Sequence, residues 1–239
     1  MIGTPEGIYF VTDPELTHQY HPLTVNAQKS SLAGPFALIE ETASFCKKVV
    51  NGGVSIIQLR WKNCDSQFFL ALAGAVSEIV HDEITLIIND RIDVFLAARA
   101  KGIKVDGVHI GQTDLDPYVT RKLVGSKAII GLSASSPSEI QACTELKGVI
   151  DYVGIGVVRN TTTKPDAPPP LGISGIASIA SRLPIPVTAI GGITESDISS
   201  IAQTSIHNAA IISDIIRARN PELKTAFMAN TWKNIRGLS

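Results

Sequence analysis

Short apolar runs rich in valine and isoleucine punctuate the chain: GIYFVTD, VSIIQLR, TLIIND, DGVHIG, AIIGLSA, VIDYVGIG, PVTAIGG and AAIIS. Their apolar residues are mostly continuous rather than alternating, which suits strands covered on both faces, as in a parallel sheet. Helical patterns fill the intervals. PFALIEETASFCKKVVNGG brings Leu38, Ile39, Thr42, Phe45, Cys46 and Val49 to helical spacing and stops at Gly52 and Gly53. DSQFFLALAGAVSEIVHDE opens with Asp65 or Ser66 as N-cap, SSPSEIQACTELKG with Ser136 ahead of Pro137, and TESDISSIAQTS with Thr194.

Eight strand–helix units in 239 residues predict an α/β fold, a (β/α)8 TIM barrel forming a single domain over residues 1–239. An open doubly wound sheet competes, but no G-x-G-x-x-G follows the first strand. Two connections are long: the polar segment 14–35 after strand one, read as a βα loop shielding the barrel mouth, and 159–172 after strand six. In such a barrel the chemistry sits at the C-terminal ends of the strands. Those ends carry Thr12 and Asp13; Gln58, Arg60 and Lys62; Asn89 and Asp90; Gln112 and Asp114; Ser133; residues 161–164; Gly191 and Gly192; and Ser213.

Charge adds one constraint. With 21 basic and 22 acidic residues the formal charge is -1, so neither nucleic acid nor an anionic membrane has an electrostatic claim on the whole surface. Any anion must be held locally. Three scattered cysteines, Cys46, Cys64 and Cys143, form neither a disulfide framework nor a zinc pattern and suit a cytoplasmic protein. No signal-peptide pattern and no membrane-spanning apolar run are evident. The helix faces leave a homo-oligomer open.

The candidate chemistry gathers at that rim. Gln58, Arg60 and Lys62 alternate onto one face of a strand end, and a guanidinium fork beside an ammonium suits phosphate oxygens. Solvated surface ion pairs are the bland alternative. Asp90 and Asp114 close successive strands. They either cap the next helices or, with substrate phosphates and water, hold Mg²⁺. Asn89 can donate its amide to a phosphate. Thr161, Thr163 and Lys164 lie in the long loop, stiffened by Pro168 to Pro170 and able to cover an anionic substrate. Gly191 and Gly192, with Ser213, offer a second, metal-free phosphate cradle. His18 and His21 form an H-x-x-H pair with no further ligand nearby; His81 and His207 read as structural, and His109 sits in strand four. No serine–histidine or cysteine–histidine nucleophile is visible.

Taken together, QLRWK, IINDRIDV, DGVHIGQTDL, GLSASS, DYVGIG, TTTK and AIGGI, in this order, resemble the thiamine-phosphate synthase family over nearly the whole chain. The resemblance implies condensation of a hydroxymethylpyrimidine diphosphate with a thiazole phosphate, releasing pyrophosphate. It implies that Gln58, Arg60, Lys62, Asn89, Ser133 and Lys164 bind the pyrimidine diphosphate, with Arg60, Lys62, Lys164 and Ser133 acting in catalysis. It assigns Mg²⁺ to Asp90 and Asp114. It gives the thiazole phosphate to Thr161, Thr163, Gly192, Ile212 and Ser213.

The chain departs from the family in four places. Asp90 and Asp114 are 114 − 90 = 24 positions apart, a longer spacing, with the excess expected in ARAKGIKV at the far end of the barrel. Arg159 and Asn160 replace an aromatic and a proline. SIHNAA precedes strand eight, an expected disturbance of the second cradle. Segment 14–35 is long and polar. Two other readings compete. A thiazole tautomerase on the same scaffold needs a proton-shuttling histidine near GLSASS, where the sequence offers Ser133 and Ser135. A non-catalytic sensor of thiamine precursors needs only the binding residues.

Overall fold

The computed structural model describes residues 4–23, 34–160 and 169–238. Its eight strands, β1 (Gly7–Val11), β2 (Ile56–Leu59), β3 (Thr85–Asn89), β4 (Gly107–Ile110), β5 (Ile129–Ala134), β6 (Tyr152–Gly156), β7 (Val187–Ile190) and β8 (Asn208–Ile211), are those the apolar runs predict. They close in sequence order into a parallel barrel, β8 pairing with β1 through Ile8↔Ala209 and Tyr9↔Ala210. The doubly wound alternative is therefore excluded.

The two periodicities of the strands explain why they read as continuous apolar runs. Outward residues such as Ile8, Phe10, Ile57, Leu59, Leu86, Ile88, Val108 and Ile130 pack under the helices in one large core. Inward residues Tyr9, Val11, Ile56, Ile87, Ile129, Tyr152 and Ala210 form a smaller core inside the barrel. In β2 to β5 the inward positions nearer the mouth are polar, whereas Val11 and Ile190 end β1 and β7 with apolar ones. Gln58, Asn89, His109 and Ser133 take the polar positions, in register Asn89↔His109 and one strand on Ser133↔Gly154. The apolar lower layer closes the barrel, and the upper layer, polar in β2 to β5, is left for a site.

The helices start where their caps predict, with exceptions that bear on function. Ser136 and Thr194 each complete a capping box. Asp65 occupies its N-cap position without a side-chain cap bond. Segment 14–35 is not simply a loop: Asp13 caps a helix over Pro14–Tyr20 by accepting from Leu16 N at 3.0 Å. The H-x-x-H pair is split by its partners, His18 on Glu41 at 2.7 Å and His21 on the Ile216 carbonyl at 2.6 Å. Both are structural.

Candidate active site

Three strand ends build the anionic and cationic side of the mouth. After β2, the Arg60 backbone N–H donates to Thr12 Oγ1 at 3.0 Å, and its guanidinium lies 3.9 Å from the Asp13 carboxylate. Trp61 turns away and donates its indole N–H to Glu15 at 3.0 Å. Arg60 and Lys62 are thereby directed to the cavity side.

After β3 the chain turns sharply. The Arg91 N–H bonds the Asn89 carbonyl at 2.7 Å, and Asp90 takes the left-handed region at φ 60. Asp tolerates that region better than most residues because its short polar side chain bonds locally. After β4, Asp114 Oδ2 accepts from Gly111 N at 2.7 Å.

Neither aspartate caps a helix. Arg91 occupies the N-cap of Ile92–Ala100, and Asp116 caps Pro117–Val124. The capping explanation for these two carboxylates therefore fails. Their side chains instead meet each other. Burial first, and then the negative charge of Asp114 and a hydrogen bond with it, push the Asp90 carboxyl up to about 6. Lys62 and the Asn89 amide oppose that rise. Two carboxylates in contact, with an ammonium near, are short of positive charge. That shortage suits a hard divalent cation which takes a few carboxylate oxygens and keeps places for phosphate and water. Among the described residues no group of three or more histidine, cysteine, aspartate or glutamate side chains could hold a metal on its own. The donor set thus fits Mg²⁺ shared with a ligand rather than a closed metal site.

The opposite wall is made by the ends of β6, β7 and β8. Gly191 and Gly192 have φ of 99 and 68. A Cβ on Gly191 would meet Val157 Cβ at 2.5 Å, and one on Gly192 would meet Arg159 Cγ at 2.5 Å. Only glycine permits both the backbone angles and this approach. Arg159 holds the wall together: it donates to both Asp197 carboxylate oxygens, at 2.5 and 2.7 Å, and to the Gly192 carbonyl at 2.8 Å. Arg159 is therefore a clamp between two loops. Ile212 and Ser213 open a short helix, Ser213–Ile216, beside it.

Both walls line one cavity of about 500 Å³. It contains Gln58, Arg60, Lys62, Asn89, Asp90, Asp114, Ser133, Gly192, Ile212 and Ser213, every predicted site residue that is described. Thr161, Thr163 and Lys164, in the loop after β6, lie outside the described residues.

The segment expected to disturb the second cradle lies away from it. His207 and Asn208 bond the Thr4 and Pro5 carbonyls at 3.0 and 2.8 Å, at the start of β8 and the far end of the barrel from Ser213. The segment ARAKGIKV also lies at that end, where Lys104 Nζ donates to the His81 and Ile84 carbonyls.

The sequence reading missed the cavity floor. His109 reaches across β5 to Ser133 Oγ at 2.9 Å, so a histidine does stand beside the GLSASS segment. Its other ring nitrogen meets the Tyr152 hydroxyl at 2.9 Å, which meets Tyr9 at 2.7 Å, which accepts from Gln58 Nε2 at 2.7 Å. Burial pulls the imidazole down to about 4, against the pull of Asp114, so it is neutral near pH 7. Burial also raises both phenols. The available signal was alternation: His109 and Ser133 are inward positions of neighbouring strands, and Gly131 lies opposite Tyr152.

A closed parallel barrel whose mouth carries two such walls, one of mixed charge and one glycine-rich, has the form of a barrel enzyme with its site at the C-terminal ends of the strands. The chain matches the model of the family described as Thiamine monophosphate synthase over residues 33–215. It is 35% identical over 234 residues to the thiamine-phosphate synthase of Syntrophomonas wolfei subsp. wolfei, covering 98% of this chain and 99% of that one. It is 37% identical over 183 residues to that of Vibrio campbellii, covering 76% and 86%. The fold matches a thiamine phosphate pyrophosphorylase from Pyrococcus furiosus with a TM-score of 0.76, 24% identity and coverage of 97% and 98%. The chain belongs to the thiamine-phosphate synthase family.

Proposed function

We propose that this chain condenses 4-amino-2-methyl-5-hydroxymethylpyrimidine diphosphate with a thiazole phosphate, giving thiamine phosphate and pyrophosphate. The observation that carries the reading is the Asp90–Asp114 pair beside Lys62, in one cavity with the Gly192 and Ser213 wall. Asp90 and Asp114 would hold Mg²⁺, which when bound supplies positive charge to the diphosphate oxygens. Arg60 and Lys62, with Lys164, bind the same oxygens and stabilise the charge that grows as pyrophosphate departs. The bonding pair of the C–O bond leaves with pyrophosphate. The pyrimidine amino group stabilises the resulting methylene cation, and the thiazole nitrogen lone pair forms the new C–N bond. No protein nucleophile or base takes part. Gln58, Asn89 and Ser133 orient the pyrimidine. Thr161, Thr163, Gly192, Ile212 and Ser213 hold the thiazole phosphate, so that the two rings meet in register.

The tautomerase reading loses its first objection, since His109 stands beside Ser133. A different objection replaces it. Both ring nitrogens of His109 are engaged in hydrogen bonds, and the ring is buried and hard to protonate. That is poor equipment for a proton shuttle at neutral pH. Three free thiols and a site for small phosphorylated substrates support the cytoplasm as its location. No helix among the described residues is long and apolar enough to cross a membrane.

The test is product formation from both purified substrates, with Mg²⁺ and with excess chelator. Turnover is expected only with the metal, and Asp90→Ala is expected to lose nearly all of it while remaining folded. Unchanged rates in chelator or in the variant refute the metal role. A wild-type protein that binds both substrates and forms no product is a sensor.

A further inference from the structure

Five side chains are joined by hydrogen bonds across the cavity floor, Gln58, Tyr9, Tyr152, His109 and Ser133, from β2, β1, β6, β4 and β5, with the Gln58 amide bearing on the Tyr152 hydroxyl as well as on Tyr9. We propose that Tyr9, Tyr152 and His109 are positioning residues whose hydrogen bonds run in one direction, from the Gln58 amide to the Ser133 hydroxyl, and so fix what each end presents to the pyrimidine. The inference rests on the reading above that a pyrimidine binds here.

The direction follows from counting protons. Gln58 Nε2 can only donate, and it does so to the Tyr9 oxygen at 2.7 Å. Tyr9 has one proton, and the acceptor within reach of it is the Tyr152 oxygen at 2.7 Å, so the proton is used if Tyr9 donates there. Tyr152 then gives its own to His109 Nδ1 at 2.9 Å. A neutral imidazole accepting at Nδ1 carries its proton on Nε2, which donates to Ser133 Oγ at 2.9 Å. The Ser133 hydroxyl proton is left for the cavity, and so is the Gln58 carboxamide oxygen. One end of the network is an acceptor and the other a donor. An aminopyrimidine offers the complement, an exocyclic amine that donates and ring nitrogens that accept.

The fold makes room for this network. A Cβ on Gly131 would lie 2.1 Å from Tyr152 Cζ and 2.5 Å from His109 Nδ1. The strand beneath the last link is pinned by Gln112 Nε2, which donates to the Ser133 carbonyl at 2.7 Å. Each link polarises the next, so the end groups are held more firmly than by one bond.

The tautomer of His109 is read in ¹⁵N-labelled free protein by long-range ¹H–¹⁵N correlation. The Nε2–H form is expected, and the Nδ1–H form overturns the direction. In Tyr152→Phe, KM for the pyrimidine diphosphate is expected to rise about tenfold, with KM for the thiazole phosphate unchanged. His109→Gln, which keeps one donor and one acceptor, should recover part of the loss that His109→Leu shows. Equal rises in both KM values, or none, overturn the positioning role. Should Tyr152→Phe not fold, Tyr9→Phe carries the same expectation. An inactive wild type overturns the reading above, and the tautomer then tests the network by itself.

Discussion

Asp90 combines two costs at one residue: a left-handed backbone and a carboxyl pressed against a second carboxyl. Such outliers gather where a site needs them. The apo protein should therefore be more stable without this charge. Asp90 is raised to about 6 from an ordinary value of 3.8, so the folded state holds the proton more tightly than the unfolded chain. Its contribution to stability is fully present below 3.8 and is lost as pH rises through 6. Asp90→Asn, which tolerates the same backbone angle, is expected to gain about 1 kcal/mol at pH 8 in chelator, after allowance for solvent screening of a partly exposed group. The gain should vanish at pH 4, and urea denaturation at the two pH values measures it. Equal midpoints at pH 8 would remove the like-charge argument. The sequence made the pairing of Asp90 and Asp114 legible, because both close successive strands. It left the helix-cap alternative standing, because a cap is decided by where the next helix starts. Here Arg91 and Asp116 take those positions.

At the scale of elements, the clamp from Arg159 to Asp197 joins the loop after β6 to the loop after β7. Thr194 strengthens it by donating its N–H to Asp197 at 2.8 Å. The Arg159 side chain is 46% exposed against 9% for Asp197, so the pair adds little to global stability. Its effect is local: it fixes the carbonyl of Gly192 and hence the backbone of the glycine cradle. Arg159→Ala is expected to raise KM for the thiazole phosphate several-fold, to leave KM for the pyrimidine diphosphate alone, and to change unfolding free energy by less than about 1 kcal/mol. Steady-state kinetics with each substrate varied in turn will show whether the split occurs. A common loss of kcat would place Arg159 in the chemistry instead. The strands were legible as elements because each is buried on both faces and bounded by turn residues. The helix Pro14–Tyr20 was hidden within a polar segment. Asp13, Pro14 and Glu15 were its signals, a cap followed by a first-turn proline and an acid.

The molecule divides its inward residues by height in β2 to β5, apolar below and polar above, while Val11 and Ile190 keep the opposite side of the mouth apolar, and this asymmetry gives the container two unlike walls. The closed order of β1 to β8 could be read from the count of strand–helix units, since parallel neighbours joined by helices have few ways to close. The floor from Gln58 to Ser133 could be read only in part: alternation turns His109 and Ser133 inward on neighbouring strands, but the Tyr9–Tyr152 link joins β1 to β6, a relation that sequence order conceals. The proposed function makes an ion shared between protein and ligand a testable expectation of this architecture. If Asp90 and Asp114 hold Mg²⁺ as proposed, the ion would need diphosphate oxygens to complete its shell, and pyrophosphate would need the ion to approach the two acids. Each ligand alone should therefore stabilise the fold weakly, and both together by more than the sum. Ligand-linked stabilisation grows with the logarithm of concentration over Kd, and a chain of this size shifts by about 2–4 °C per kcal/mol. Thermal unfolding with Mg²⁺, with pyrophosphate and with both is expected to show that excess in the wild type. In Asp114→Asn the shifts should become additive, since one of the two acids no longer carries charge. Additive shifts in the wild type would mean that ion and pyrophosphate bind apart, and the Asp90–Asp114 pair would then need another explanation.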